Sequence, residues 1–244
     1  MLTLPRATSG ALACVALLLS PAAAGAAPTL VSDERQILAD AQPPFSTPPE
    51  TEFPAAPFDP FVGSVMQGGT RQCMQQPGIP ANASADATQN STVSPVLYAG
   101  VGEANVVAEG GSCISAEAEG ISSYRVSFTT DVDYDFDLSA TLDNGDLLLE
   151  DSGGTPLASL TSHTGAFSTV LLTLPPDTYT IEVEVHLLAF ATQQSIVFDS
   201  GSFDLTLELS ESVGAKVPAL TPVGLVVFSA LIAGAAVRQL RTRR

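Results

Sequence analysis

Four aspartates in the stretch DVDYDFD, namely Asp131, Asp133, Asp135 and Asp137, alternate with apolar residues. Alternation at period two sets carboxylates on one face of a strand, about 7 Å apart. Hard cations take oxygen ligands, calcium six to eight of them, and Asp143, Asn144, Asp146 and Asp151 follow closely. The candidate calcium ligands are therefore Asp131, Asp133, Asp135, Asp143 and Asp146. A straight strand spaces its carboxylates too widely for one ion, and the D-x-[DN]-x-[DN]-G spacing of an EF-hand loop is absent. The ladder reads equally as a solvated acidic face that discourages strand pairing between molecules. No cofactor is expected beyond such a cation.

Signals for catalysis are sparse. His163 sits in the polar turn TSHTG and His186 on the polar side of an alternating stretch, neither with a partner visible in sequence. H-E-x-x-H, G-x-S-x-G, P-loop and GxGxxG patterns are missing. A serine nucleophile needs a positioned base, and carboxylate pairs drawn freely from 26 acidic residues specify nothing. No catalytic residue is expected, and the chain reads as a non-enzyme. Sugar binding on an aromatic platform is weakly supported, because there is no Trp and Tyr98, Tyr124, Tyr134 and Tyr179 fall on expected strands.

Charge excludes another class. All 26 acidic residues lie between Asp33 and Glu211, where only Arg35, Arg71 and Arg125 are basic. Phosphate contacts need Lys and Arg, so nucleic-acid binding is excluded. Asn82 and Asn90 each open an N-x-[ST] triplet, the acceptor pattern for N-glycosylation, which in a bacterial host would be expected to arise mostly by chance.

The elements that would position these residues are strands. SYRVSFTT, DVDYDFDLSATL, TYTIEVEVHL and SFDLTLELS alternate apolar and polar residues, the mark of half-buried strands. DNGD (143–146) has the Asn-Gly dipeptide of a tight hairpin; SGGTP and PPDT supply further turns. Eight or nine short strands predict an all-β fold, an antiparallel β-sandwich of jelly-roll type, over residues 93–211. Residues 28–92 read as a Pro-rich, loosely ordered arm and linker. Within that arm, SDERQILADA offers one or two helical turns capped by Ser32. Phe45, Phe53, Phe58 and Phe61 are available there for docking.

Both ends carry address signals. Arg6, the run ALACVALLL and the small residues of SPAAAGAAP form a secretory signal peptide over 1–27, cleaved near Ala27 and Pro28. Cys14 leaves with it, so Cys73 and Cys113 remain, and an exported chain favours their pairing as a disulfide. At the other end (212–244), Val217 to Val237 is uncharged and is followed by Arg238, Arg241, Arg243 and Arg244. Twenty-one residues at 1.5 Å each give about 31 Å, a bilayer core. Two prolines shorten the expected transmembrane helix to about 223–240, with its arginines cytoplasmic and residues 28–216 outward.

A Pro-containing motif, a Gly-bearing apolar helix and an Arg-rich end resemble the PEP-CTERM class of bacterial sorting tails. VPALTPVG is similar to the variant whose motif reads Ile-Pro-Thr-Leu, which maps the motif to Val217, Pro218, Ala219 and Leu220. The Glu-Pro of the standard motif is missing. The resemblance covers about 28 residues. It implies processing by an exosortase-type membrane transpeptidase, transient membrane insertion, and delivery to the envelope or extracellular surface. ATQNSTVSP, YRVSFTT, FDLSATLD and TYTIEVEV together resemble exported sandwich domains that carry such tails, and LPPDTYTIEV resembles a turn of pre-peptidase-type domains. The expectation is a cell-surface or matrix protein whose acidic sandwich serves structural or adhesive contacts, with exopolysaccharide among its partners. Beside it stands a module held permanently by its C-terminal helix that binds carbohydrate or calcium.

Overall fold

Ala, Val, Tyr, Phe and Leu recur at every second position through most of the chain, and the backbone follows that period. The computed structural model describes residues 26–42, 48–72, 78–168 and 172–212. Its contacts divide the chain into Met1–Glu211 and Ser212–Arg244. The described residues are all-β and antiparallel, with no helix among them.

In chain order the strands are β1 (Thr29–Asp33), β2 (Gln36–Gln42), β3 (Glu50–Glu52), β4 (Phe61–Arg71), β5 (Ala81–Ser94), β6 (Leu97–Glu109), β7 (Ala116–Thr129), β8 (Tyr134–Asp151), β9 (Pro156–Ser168), β10 (Leu172–Leu174), β11 (Thr178–Ala191) and β12 (Ile196–Glu211). They hydrogen-bond in the order β3-β2-β7-β11-β8-β12-β6-β5-β4, with β1 beside β7 and both β9 and β10 beside β8. One continuous sheet folds over so that β7 meets β5 and β6 face to face, and β11 meets β6 and β12. The result is a nearly closed two-layer sandwich.

Several expectations for residues 28–92 are corrected. SDERQILADA is extended in β1 and β2, because Ile37, Ala39 and Ala41 alternate into the core. The arm supplies five strands. Phe61 is buried and Phe58 packs against the core, while Phe53 is 59% exposed and Phe45 lies outside the described residues. ANASADATQNSTVS, most of it inside the expected loosely ordered linker, is the 14-residue β5. Its inward residues Ala81, Ala83, Ala85 and Ala87 are fully or nearly buried. Their methyls are long enough because this part of the sandwich is thin. A Cβ added to Gly120 of β7 would lie 3.4 Å from the Ala104 methyl of β6. Elsewhere the gap is filled by rings: Tyr98 of β6 packs on Phe128 of β7 at a centroid distance of 4.7 Å, and Phe128 on Tyr179 of β11 at 5.7 Å.

A polar knot fastens β1 and β2 to the opposite layer. Arg35 is fully buried and forks onto Asp33, with Nε and a terminal nitrogen 2.7 and 2.6 Å from its two carboxylate oxygens. The guanidinium also donates to Ser91 Oγ of β5 (3.1 Å) and to the carbonyl of Asp59 (2.6 Å). Asp33 accepts the N–H of Phe58 at 2.6 Å, and that N–H belongs to a residue at φ 67°, a bulky side chain in the left-handed region. Gln89 continues the network by donating to the carbonyls of Ser123 and Gln36 and accepting from Ser91 Oγ. Burial alone would raise the Asp33 carboxyl; hydrogen bonds from Arg35 and Phe58 and the guanidinium charge outweigh it and hold the group below its ordinary value.

At the far end of the sheet, side chains replace ladder bonds. Gln67 of β4 accepts the N–H of Ala41 at 2.5 Å and donates to the carbonyl of Pro48 at 2.8 Å. Glu52 accepts the N–H of Ser64 at 3.2 Å.

Two stability tests follow from this packing. A Cβ at Gly102 would fall 2.3 Å from Ser122 Oγ and 2.4 Å from the Phe203 ring, so Gly102→Ala loses about 1–3 kcal/mol in denaturant titration. Gly68→Ala, whose nearest neighbour is 3.6 Å away, changes stability by less than about 0.5 kcal/mol. Arg35→Met strands the Asp33 carboxylate and costs about 3–5 kcal/mol, and adding Asp33→Leu restores much of it. Because the folded pKa of Asp33 is depressed, its contribution is complete above the unfolded value of about 3.8. It is lost as pH falls through the lower folded value, so acid titrations of wild type and the double variant converge below pH 3.8.

Candidate functional site

Asp143 and Asp146 flank the feature that shapes the acidic region. DNGD is not a hairpin: β8 runs unbroken through it for 18 residues. Asn144 takes the positive φ of 52° that the dipeptide invites. The chain spends it on a bulge instead of a reversal. Even-numbered residues from Tyr134 to Leu142 point inward; after Asn144 the inward residues are Gly145, Leu147 and Leu149. The extra residue also changes β8's neighbour. Tyr134–Asp143 pairs with β12, while Asp146–Asp151 pairs with β11. Asn144 is held by donating its N–H to Thr164 Oγ1 (3.1 Å) and its amide to Asp199 (3.1 Å), and Thr164 donates to Asp143 (3.2 Å).

The five candidate calcium ligands are placed along this ribbon. Asp131 and Asp133 are exposed in the link before β8. Asp135 accepts from Thr173 Oγ1 of β10 at 2.8 Å. Asp143 lies eight residues further along the strand, about 27 Å away at ~3.4 Å per residue. Asp146 stands opposite Glu184 of β11. Asp131, Asp133 and Asp135 thus sit at one end of β8, and Asp143 and Asp146 at the bulge. Among the described residues no three His, Cys, Asp or Glu side chains are grouped to hold a metal ion.

What converges instead is drawn from strands distant in sequence. An open groove of about 230 Å³ is lined by Asp146, Leu148, Ser159, Leu160, Glu182 and Glu184, from β8, β9 and β11. Partial burial pushes the Glu182 carboxyl up; Arg125 beside it pulls down, and the carboxylates of Glu184 and Glu150 push up again. Arg125 lies 3.4 Å from both Glu182 and Glu34. Next along β11, His186 Nε2 is 2.8 Å from Glu119 of β7, with Glu184 3.7 Å from Nδ1. The sequence suggested no partner for His186, because Glu119 is 67 residues away. His186 and Glu119 thus form an exposed His-carboxylate pair. Beside carboxylates it makes a surface suited to cationic or hydroxyl-rich groups.

The tyrosines form no platform. Tyr98, Tyr124, Tyr134 and Tyr179 are all buried. Their hydroxyls donate to the carbonyls of Pro95, Thr92, Ala26 and Pro175 respectively. Burial, reinforced by the carboxylates of Asp177, Asp151 and Asp133, pushes the Tyr179 phenol up to about 12. Cys113 lies in the link between β6 and β7. Cys73 and the motif Val217, Pro218, Ala219 and Leu220 lie outside the described residues, as do residues 1–25 of the expected signal peptide and the helix expected over 223–240. Among the described residues no helix is long and apolar enough to cross a membrane. The side chain of His163 also falls outside them.

No family model matches this chain, and no curated protein does. Among solved structures, a GH31 alpha-xylosidase from Xanthomonas citri is similar over 64% of this chain and 29% of its own length, at 7% identity and a TM-score of 0.20. A likeness of that size carries no argument about activity.

The bulge is open to a direct test. Asn144→Gly, which tolerates φ 52°, stays within about 0.5 kcal/mol of wild type. Asn144→Val loses about 1–2 kcal/mol from the left-handed strain alone, read as a lower urea midpoint.

Proposed function

We propose that this is a non-enzymatic exported protein of the cell surface or extracellular matrix, in which the acidic sandwich, jelly-roll-like, makes structural or adhesive contacts. Segment 217–244 acts as a sorting tail for an exosortase-type transpeptidase, with residues 223–240 inserted in the membrane until processing. The observation that carries this reading is the division of charge. Every acidic residue falls between Asp33 and Glu211, and an uncharged stretch with four terminal arginines comes after them. It is supported by the last described strand ending at Glu211, ahead of the uncharged stretch that begins at Val217. Exopolysaccharide is the partner class: hydroxyl-rich polymer is not repelled by an acidic surface, whereas nucleic acid is.

Cys73 and Cys113 are assigned to one disulfide. Support comes from the chain just beyond Cys73, where Ile79 donates to Ser112 Oγ and accepts the N–H of Ser112, both at 2.9 Å. That sets Ile79, six residues beyond Cys73 in sequence, beside the residue before Cys113.

One measurement addresses these assignments: the intact mass of the mature protein recovered from its own cells. The expected species starts near Pro28, lacks the residues C-terminal to the Val217–Leu220 motif, and is lighter by two hydrogens than the dithiol. A chain still ending at Arg244 in purified membranes overturns the sorting assignment in favour of a permanent anchor.

A further inference from the structure

Strongly acidic chains repel their own copies, and sheet edges are where charge is ordinarily placed to prevent strand pairing. Here the charge is distributed the other way round. The interior strands β5, β6, β7, β8, β11 and β12 each carry at least one carboxylate, whereas the two long edge strands, β4 and β9, carry none. The edge of β4 is occupied by the side chains that bridge it to β2 and β3. The outer edge of β9 is different: among the described residues β9 pairs with no strand but β8.

PLASLTSHTGAFS, the 13 residues of β9, contains no Asp, Glu, Lys or Arg. Its proline is the first residue of the strand, where it does not interrupt a ladder. Leu157 is 40% exposed, and Ser159, Thr161 and Ala166 are exposed as well. The strand carries no inward charge, no lysine and no internal proline to blunt the edge, and its one irregularity is the set of register shifts in its ladder with β8.

We propose that β9 pairs antiparallel with β9 of a second copy of this chain across a two-fold axis. An antiparallel strand pair is self-complementary under such an axis, so the interface closes at two copies. With the β4 edge taken up by its bridges to β2 and β3, β9 is the long edge left open among the described residues at which two acidic molecules meet without setting carboxylates opposite each other on the pairing strands. Net repulsion between the remaining surfaces opposes the approach at long range. Salt therefore strengthens the pairing, the reverse of an interface held by ion pairs. The inference rests on the edge and is independent of how the tail is processed.

Sedimentation equilibrium of the full chain in a neutral, density-matched detergent tests it. The expected result is a monomer–dimer equilibrium that tightens as salt rises from about 50 to about 500 mM. The double variant Ser159→Glu/Thr161→Glu is expected to dimerise at least about tenfold more weakly, while Thr161→Val dimerises as well as wild type. Both altered residues are exposed, so the thermal transition should persist. If the double variant does not fold, Leu157→Glu places a charge at the other end of the strand and should weaken dimerisation likewise. A chain that stays monomeric at every concentration overturns the proposal. So does a dimer whose strength the glutamates leave unchanged, which would place the contact on another face or in the segment beyond residue 212.

Discussion

The fold depends on one backbone conformation. With Asn144 at positive φ, a single strand can serve both layers, giving its first half to β12 and its second to β11. Without the inserted residue, the inward set of the second half would be Asp146, Leu148 and Glu150, and two carboxylates would enter the core. A one-residue shift in a strand exchanges its faces completely, so the bulge decides which side of the sheet the acids occupy. It also turns Leu148 outward, where it lines the groove with Asp146 and Ser159.

Around that strand the interior tapers. Rings at Tyr98, Phe128 and Tyr179 hold the layers apart in one region, and alanines let them approach in another. Close packing makes the two regions dependent on each other, since neither layer can move without opening a void or forcing a clash. The buried Arg35–Asp33 pair supplies little net stability of its own. Its value lies in specificity: one guanidinium fixes β1, the Phe58 turn and β5 at a single mutual position.

The sequence made some of this legible and concealed the rest for identifiable reasons. Large residues at period two in β7, β8, β11 and β12 announce strands directly, and SGGTP and LPPDT mark their ends. In β5 the same period is carried by alanine, whose small apolar area gives a faint signal, so ANASADAT looks like a loop. The prolines of residues 43–60 suggest disorder, yet the described ones, Pro48, Pro49, Pro54, Pro57 and Pro60, lie between strands and not within them. Asn144-Gly145 has a positive φ in a hairpin and in a bulge alike; only the neighbouring strands decide which one forms. The outward face is the least legible. Glu119 meets His186 from 67 residues away, Asp146 and Glu182 line one groove from different strands, and no local pattern encodes those.

Arg35 leaves the exterior with fewer cations than composition implies. The tyrosines have an analogous consequence for light. The chain has no Trp and four Tyr, and all four rings are enclosed with their hydroxyls bonded to carbonyls at strand ends. Tyrosine absorption and emission therefore originate entirely in the interior. The molecule carries a built-in optical gauge of its own packing, blind to whatever touches its surface.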